Sequence, residues 1–298
     1  MNFNRKIYLA LFISFLGLTS YAQDVRLTVG TGVSSYYGDL IRENSALLKQ
    51  TSPAFSFGAT YDIQSQLRAR LNVSLMSVKG DDKLSKDANL RARNLNFKTN
   101  IWEVALMGEY DFLDRESYNI VPYVFTGIGV YHFNPYTNDS IAGKVFLHDV
   151  GTEGQYLGLP GYPKPYSRTQ IDIPFGFGIR YEVSESVSLA LEMNYRFLFT
   201  DYLDDVSTKY VNPTSLFYSS SYYTANSNYY ADLAARLGFK AEDPKNQITY
   251  PRGNPNKNDR YYSIQITATF KLENFSLFGL GSGPFGGGGY NSSRHYTY

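Results

Sequence analysis

Between Arg168 and Thr200 the chain is apolar at every second position. Ile171, Ile173, Phe175, Phe177, Ile179, Tyr181 and Val183 alternate with Asp172, Pro174, Gly176, Gly178, Arg180 and Glu182. After Ser184-Glu185-Ser186 the pattern resumes. Val187, Leu189, Leu191, Met193, Tyr195, Phe197 and Phe199 then alternate with Ser188, Ala190, Glu192, Asn194, Arg196 and Thr200, Leu198 being the exception. Successive strand side chains point to opposite faces. The stretch therefore predicts a β-hairpin with one greasy face and one face that carries charge. A membrane barrel requires this partition, with lipid outside and polar groups inside.

The same period recurs along the chain. It predicts strands at Val25–Ser34, Ala54–Tyr61, Gln66–Val78, Phe97–Phe112, Ile120–Phe133 and Arg260–Leu272, which with the hairpin makes eight. Ile120–Phe133 is apolar on both parities, so its facing stays open, with Gly127 and Gly129 expected to point inward by likeness to Gly176 and Gly178. The connections alternate long and short. Ser35–Ser52, Gly80–Asn96, Asn134–Ser167 and Asp201–Asp259 read as the long loops, the last holding a short helix at Tyr229–Phe239. Outer-membrane barrels pair short periplasmic turns with long external loops. The expected fold is all-β: an eight-stranded antiparallel up-and-down transmembrane β-barrel with long external loops.

Facing is fixed by cost. A one-residue slip of Gln66–Val78 would turn Arg68 and Arg70 to lipid, at about 2–4 kcal/mol each near mid-membrane. Inward charges are then Arg26, Arg68, Arg70, Arg180, Arg196 and Lys271 against Glu103, Glu109, Asp111, Asp172, Glu182 and Glu192. The signs balance, and a barrel of this size holds only its own side chains. The expected lumen is a closed network of ion pairs, with Gly30, Gly32, Gly58, Gly176 and Gly178 making room for long side chains.

Composition narrows the class. Net charge is +1 over 298 residues, so there is no field for nucleic acid. The chain has 28 Tyr and 20 Phe but 1 Trp, and no Cys. Tyrosine suits membrane–water girdles, while the missing thiols exclude disulfides and zinc–cysteine sites. Mean hydropathy is −0.32, too low for a helical membrane protein. Arg5 and Lys6, the apolar run Ile7–Leu18 and Ser20-Tyr21-Ala22 read as a signal peptide. The expected organisation is residues 1–22 signal peptide, 23–272 barrel and 273–298 a glycine-rich flexible periplasmic tail. Localisation is then the cell outer membrane, with its lipid as solvent.

Candidate chemistry is sparse. Gly127-Ile128-Gly129 and Gly176-Phe177-Gly178 lie in strand patterns and lack the strand-to-helix context of a phosphate loop. His132, His148 and His295 have no second ligand at metal spacing. Asp201, Asp204 and Asp205 could offer hard oxygens to calcium, but loop-folding hydrogen bonds are the preferred reading. The aromatic stretch Tyr210–Tyr230 reads equally as a binding surface or as a loop packing on itself. No catalytic, cofactor-binding or metal residue is assigned, and no cofactor is expected.

Several strings occur together in order. They are Ser35-Tyr36-Tyr37-Gly38-Asp39-Leu40, Arg91 to Phe97, Pro122 to Val130 with Phe133-Asn134-Pro135, Gly151-Thr152-Glu153-Gly154-Gln155, Ile173-Pro174-Phe175-Gly176, Thr200 to Ser207, and Arg252-Gly253. From about residue 25 to 272 the set resembles the PorG-like outer-membrane barrels of the type IX secretion system, many of which are catalogued as a domain of unknown function. The resemblance implies a small non-enzymatic barrel that ties a periplasmic ring of PorK and PorN type components to the outer membrane. Ring contact would use Asp62–Ser65, Leu113–Asn119, Ser184–Ser186 and the tail. The alternatives are a narrow outer-membrane channel, a lipid-modifying outer-membrane enzyme, and an adhesin acting through Asp201–Asp259.

Overall fold

The computed structural model describes residues 25–41, 50–225, 228–240 and 251–272. The expected signal segment and glycine-rich tail lie outside them. Ten strands form one antiparallel sheet: β1 (Val25–Tyr37), β2 (Ser52–Asp62), β3 (Leu67–Asp81), β4 (Asn96–Asp111), β5 (Ile120–Phe133), β6 (Tyr136–Asp139), β7 (Gly143–Phe146), β8 (Thr169–Ser184), β9 (Val187–Leu198) and β10 (Arg260–Lys271). Eight of them close on themselves in the order β1-β2-β3-β4-β5-β8-β9-β10, with β10 returning to β1. Closure pairs every edge, as hydrocarbon demands.

The partition of side chains is that of a transmembrane barrel. Leu106, Ile128 and Ile266 on the outer wall are 63%, 67% and 62% exposed, whereas Glu103, Asp111 and Asp172 between them are at most 1% exposed. Tyr61, Tyr110 and Tyr181 ring the short-turn end; Phe55, Trp102 and Phe197 ring the other. Two-sided aromatic girdles mark the interfaces of such barrels.

Three features differ from the sequence expectation. First, Asn134–Ser167 is no structureless loop. β6 and β7 make a hairpin that continues the wall from β4 at Lys98–Tyr136, followed by a helical turn at Leu147–Val150. Its strands are four residues each, too short for alternation to register. Second, β1 and β3 run three residues past their expected ends, to Tyr37 and Asp81. The greasy period stops where lipid stops; the hydrogen-bonded ladder does not. Third, β5 turns Val121, Tyr123, Phe125, Tyr131 and Phe133 inward. Gly127 and Gly129 share that parity, as expected, but the glycines opposite serve rings more than charges. A Cβ on Gly176 would lie 2.2 Å from the Phe125 ring, and one on Gly178 2.6 Å from Tyr123. The bare strand β8 is what lets those two rings lie flat inside.

Candidate functional site

The interior is built in layers. Nearest the short turns, Arg115 bonds Asp62 and Asp111, and Arg26 Nε donates to Asp62 Oδ2 at 3.1 Å. Above them Arg68 Nη2 lies 2.6 Å from Glu109 Oε1 and 2.7 Å from Asp111 Oδ1. Arg180 Nη1 donates to the same Asp111 at 2.8 Å and its Nη2 to Glu109. Arg70 Nη1 donates to Glu192 Oε1 at 2.6 Å, and the Tyr123 hydroxyl donates to that oxygen at 2.7 Å. The guanidinium of Arg180 sits 4.0 Å over the Tyr123 ring and that of Arg70 4.4 Å over Phe125. Each cation is thus held by a carboxylate at its edge and a ring at its face. Higher up, Arg196 Nε donates to Glu103 Oε2 at 2.9 Å, and Asp172 lies 3.8 Å away. The ion-pair network expected from alternation is present, with aromatic layers threaded through it.

At the other end the long connections fold over the barrel with a core of their own. Tyr131, Phe133 and Tyr261 of the upper lumen join Leu40, Val78, Phe97, Val150, Leu203, Phe217, Tyr223 and Leu233 in one buried cluster. Within the aromatic stretch, Phe217 and Tyr223 are buried and Tyr222 stacks on Tyr156 at 4.0 Å. Those rings pack the loop on itself; Tyr218 and Tyr229 stay exposed.

Set into that core is a polar knot. Arg93 Nε and Nη2 donate to Asp82 at 2.8 and 2.7 Å, and its Nη1 and Nη2 donate to the carbonyls of Arg252 and Asp39 at 2.5 and 3.0 Å. Arg252 Nη1 donates to Glu153 Oε1 at 2.8 Å and to the Asp205 carbonyl at 2.5 Å. Glu153 in turn accepts from the amides of Ser207 and Thr208 and from the Thr208 hydroxyl. Two buried arginines therefore staple five separate segments. Both belong to the recurring strings, yet the sequence reading gave neither a role. A charged residue in a loop offers no period against which to judge its burial.

The aspartates named from sequence lie here. Asp205 accepts from Thr152 and from the Tyr166 hydroxyl at 2.9 Å. Asp204 Oδ1 accepts from the Val206 amide at 2.8 Å. The Tyr36 hydroxyl lies 2.5 Å from Asp204 Oδ2 and 2.8 Å from Asp259 Oδ1. A phenol carries one proton, so one of these carboxyls must itself be protonated to complete the second bond. Burial comes first in raising the carboxyls of Asp204 and Asp259, followed by the charge of neighbouring aspartates. Asp201 is pushed up to about 9 by burial and then by Asp204 and Asp39. Asp205 rises to about 6 through burial, with Arg252 opposing. Among the described residues no group of three or more acidic or imidazole side chains is arranged to hold a metal ion. Asp204, Asp205 and Asp259 act as hydrogen-bond acceptors.

The remaining candidates disperse. His132 stacks on Trp102 at 5.6 Å on the outer wall. His148 Nε2 donates to the Tyr166 carbonyl at 3.0 Å inside the cap. His295 lies outside the described residues. Both Gly-x-Gly strings sit within strands β5 and β8.

A family model described as a domain of unknown function (DUF6089) matches residues 5–231. No curated protein matches the chain. Similar solved structures include Neisserial surface protein A, at 12% identity and TM-score 0.42, covering 83% of this chain and 97% of that one. OprG from Pseudomonas aeruginosa matches at 10% identity and TM-score 0.37, covering 85% and 98%. The outer membrane enzyme PagL matches at 11% identity and TM-score 0.32, covering 83% and 99%.

Proposed function

The chain belongs to the family described as a domain of unknown function (DUF6089), and we propose that it is a non-enzymatic outer-membrane component of a type IX-like secretion apparatus. In this reading it anchors a periplasmic ring of PorK and PorN type proteins to the membrane. One observation carries the reading. Five of the strings behind the PorG-like resemblance, those holding Tyr36 and Asp39, Arg93, Glu153, Asp204 and Asp205, and Arg252, meet in the knot. They build one object, so their joint occurrence in order reflects a shared cap. A fold alone assigns no function, and the lumen is crossed by buried ion pairs at Arg68, Arg70, Arg180 and Arg196, which favours a structural part over a channel.

The long loops then face outward, and the ring meets the short turns. The test is extraction of the tagged chain in mild detergent and mass identification of what co-purifies. A periplasmic ring lipoprotein is expected, with its recovery reduced when residues 273–298 are removed. Recovery of the barrel free of any ring component, under conditions that keep other envelope complexes together, would overturn the reading. Planar-bilayer recording is expected to show no steady open state.

A further inference from the structure

The outer wall of β3 and β4 changes character in steps toward the cap. Paired across the two strands are Leu71–Leu106, Val73–Val104, Leu75–Trp102, Ser77–Asn100 and then Lys79–Lys98. All point away from the lumen, and same-face pairs are spaced by about 7 Å. The column therefore runs from hydrocarbon through an aromatic girdle and a polar step to two ammonium groups, the order of layers in one leaflet of a bilayer.

Two cavities follow the same column. A groove of about 340 Å³ is lined by Phe55, Leu75, Trp102, Ser77 and Asn100. Directly above it, a cleft of about 470 Å³ is lined by Lys79, Lys98, Gln50, Tyr136 and Asn138. Like charges directly opposite on neighbouring strands repel. Among the described residues neither lysine forms an ion pair with a carboxylate. Lys144 Nζ lies 4.0 Å over the ring of Tyr136, itself a lining residue of the cleft. Gln50 is 2% exposed and its Nε2 donates to nothing, while its Oε1 is held by the Asp81 amide at 2.8 Å. A buried donor left unpaired is costly, and here it lies in the wall of a cationic cleft. Asp81 is the one acid lining the cleft, and its Oδ1 accepts from the Lys83 amide.

We propose that this wall binds a membrane lipid whose headgroup ends in a phosphomonoester of net negative charge, in the leaflet on the cap side. An acyl chain fills the groove beside Phe55 and Trp102. The phosphate bridges Lys79 and Lys98 and accepts from Gln50 Nε2. The site requires the barrel to sit in a bilayer but not the secretion role, so a failed ring pull-down leaves it standing.

Native mass spectrometry of the full chain in detergent micelles tests it, with dipalmitoyl phosphatidic acid and dipalmitoyl phosphatidylcholine as probes. The phosphatidic acid should bind, and the phosphatidylcholine should bind far less. The double variant Lys79→Ala/Lys98→Ala should lose about 10- to 30-fold in affinity for the acid. Lys164→Ala/Lys257→Ala removes the same charge from exposed loop positions and should bind like the parent. Heat-modifiable gel migration confirms that each variant is folded. Equal binding of the two lipids overturns the proposal, as does unchanged binding by the first variant or an equal loss in the second. Inorganic phosphate displacing the lipid at equal concentration would overturn the assignment to a lipid, because a free ion cannot use the groove.

Discussion

The lumen and the cap both bury arginines against carboxylates, but with different balances. In the lumen, Arg68, Arg70, Arg180 and Arg196 face Glu103, Glu109, Asp111, Asp172 and Glu192, and the signs nearly cancel. In the cap, Arg93 and Arg252 face Asp39, Asp82, Glu153, Asp201, Asp204, Asp205 and Asp259, a large acidic surplus. The lumen neutralises its charges with opposite charges and aromatic faces. The cap neutralises its surplus with backbone amides, hydroxyls and retained protons. One region is therefore an ionic strut of nearly balanced pairs, and the other carries an acidic surplus.

Breaking the strut should have the largest effect. Arg196→Met leaves Glu103 and Asp172 buried without their shared cation. Removing one partner of a buried pair typically costs about 3–5 kcal/mol. The urea midpoint of the barrel in lipid vesicles, read by heat-modifiable migration, should fall accordingly. The double variant Arg196→Met/Glu103→Gln should recover part of the loss, since the orphaned charge is then gone. An unchanged midpoint in the single variant would mean that the upper lumen is not held by this pair.

The matching change in the cap, Arg252→Met, removes the staple between Glu153 and the Asp205 carbonyl. Loops open locally without the global transition when few contacts tie them to the scaffold. The barrel midpoint is expected to stay within about 1 kcal/mol of the parent, while limited proteolysis between residues 200 and 225 accelerates at least tenfold. If the barrel lost as much stability as with Arg196→Met, the two regions would be a single cooperative unit and the contrast drawn between them would fail.

How much of this was legible follows the same division. Alternation located every barrel strand because lipid and lumen impose opposite demands on adjacent residues. The inward set from Arg68 to Glu192 could be read off parity alone. Parity went silent on β5, where Val121, Tyr123 and Phe125 face in and Val124 and Ile128 face out, since aromatic layers in the lumen remove the contrast. It was silent again at Lys79 and Lys98, which lie on a strand but beyond the greasy belt. In the cap, the strings around Arg93, Glu153 and Arg252 were recognisable as a set. Their convergence was not, because contacts such as Arg93 to the Arg252 carbonyl span 159 positions and follow no local period. The helix at Tyr229–Gly238 was foreseen nearly to its ends, because its own amphipathic period was intact.

The smallest expected effect concerns the acidic surplus of the cap. Asp201 rises to about 9 and Asp205 to about 6, with Asp204 and Asp259 also raised. A carboxyl with a raised folded-state pKa holds a proton that the opened loop releases. Its contribution is full below the ordinary carboxyl range near 4 and is lost as pH climbs through the folded value. The cap should therefore loosen as pH rises from 6 to 9.5. Hydrogen exchange at residues 200–208, corrected for intrinsic rate, should accelerate on the order of tenfold, or about 1.4 kcal/mol. Asp201→Asn removes a carboxyl whose folded value lies inside that window and should flatten the response of the cap. Faster exchange at pH 6 than at pH 9.5 would mean that the surplus is carried as bare charge, and that the phenol of Tyr36 does not share a proton with its two aspartates.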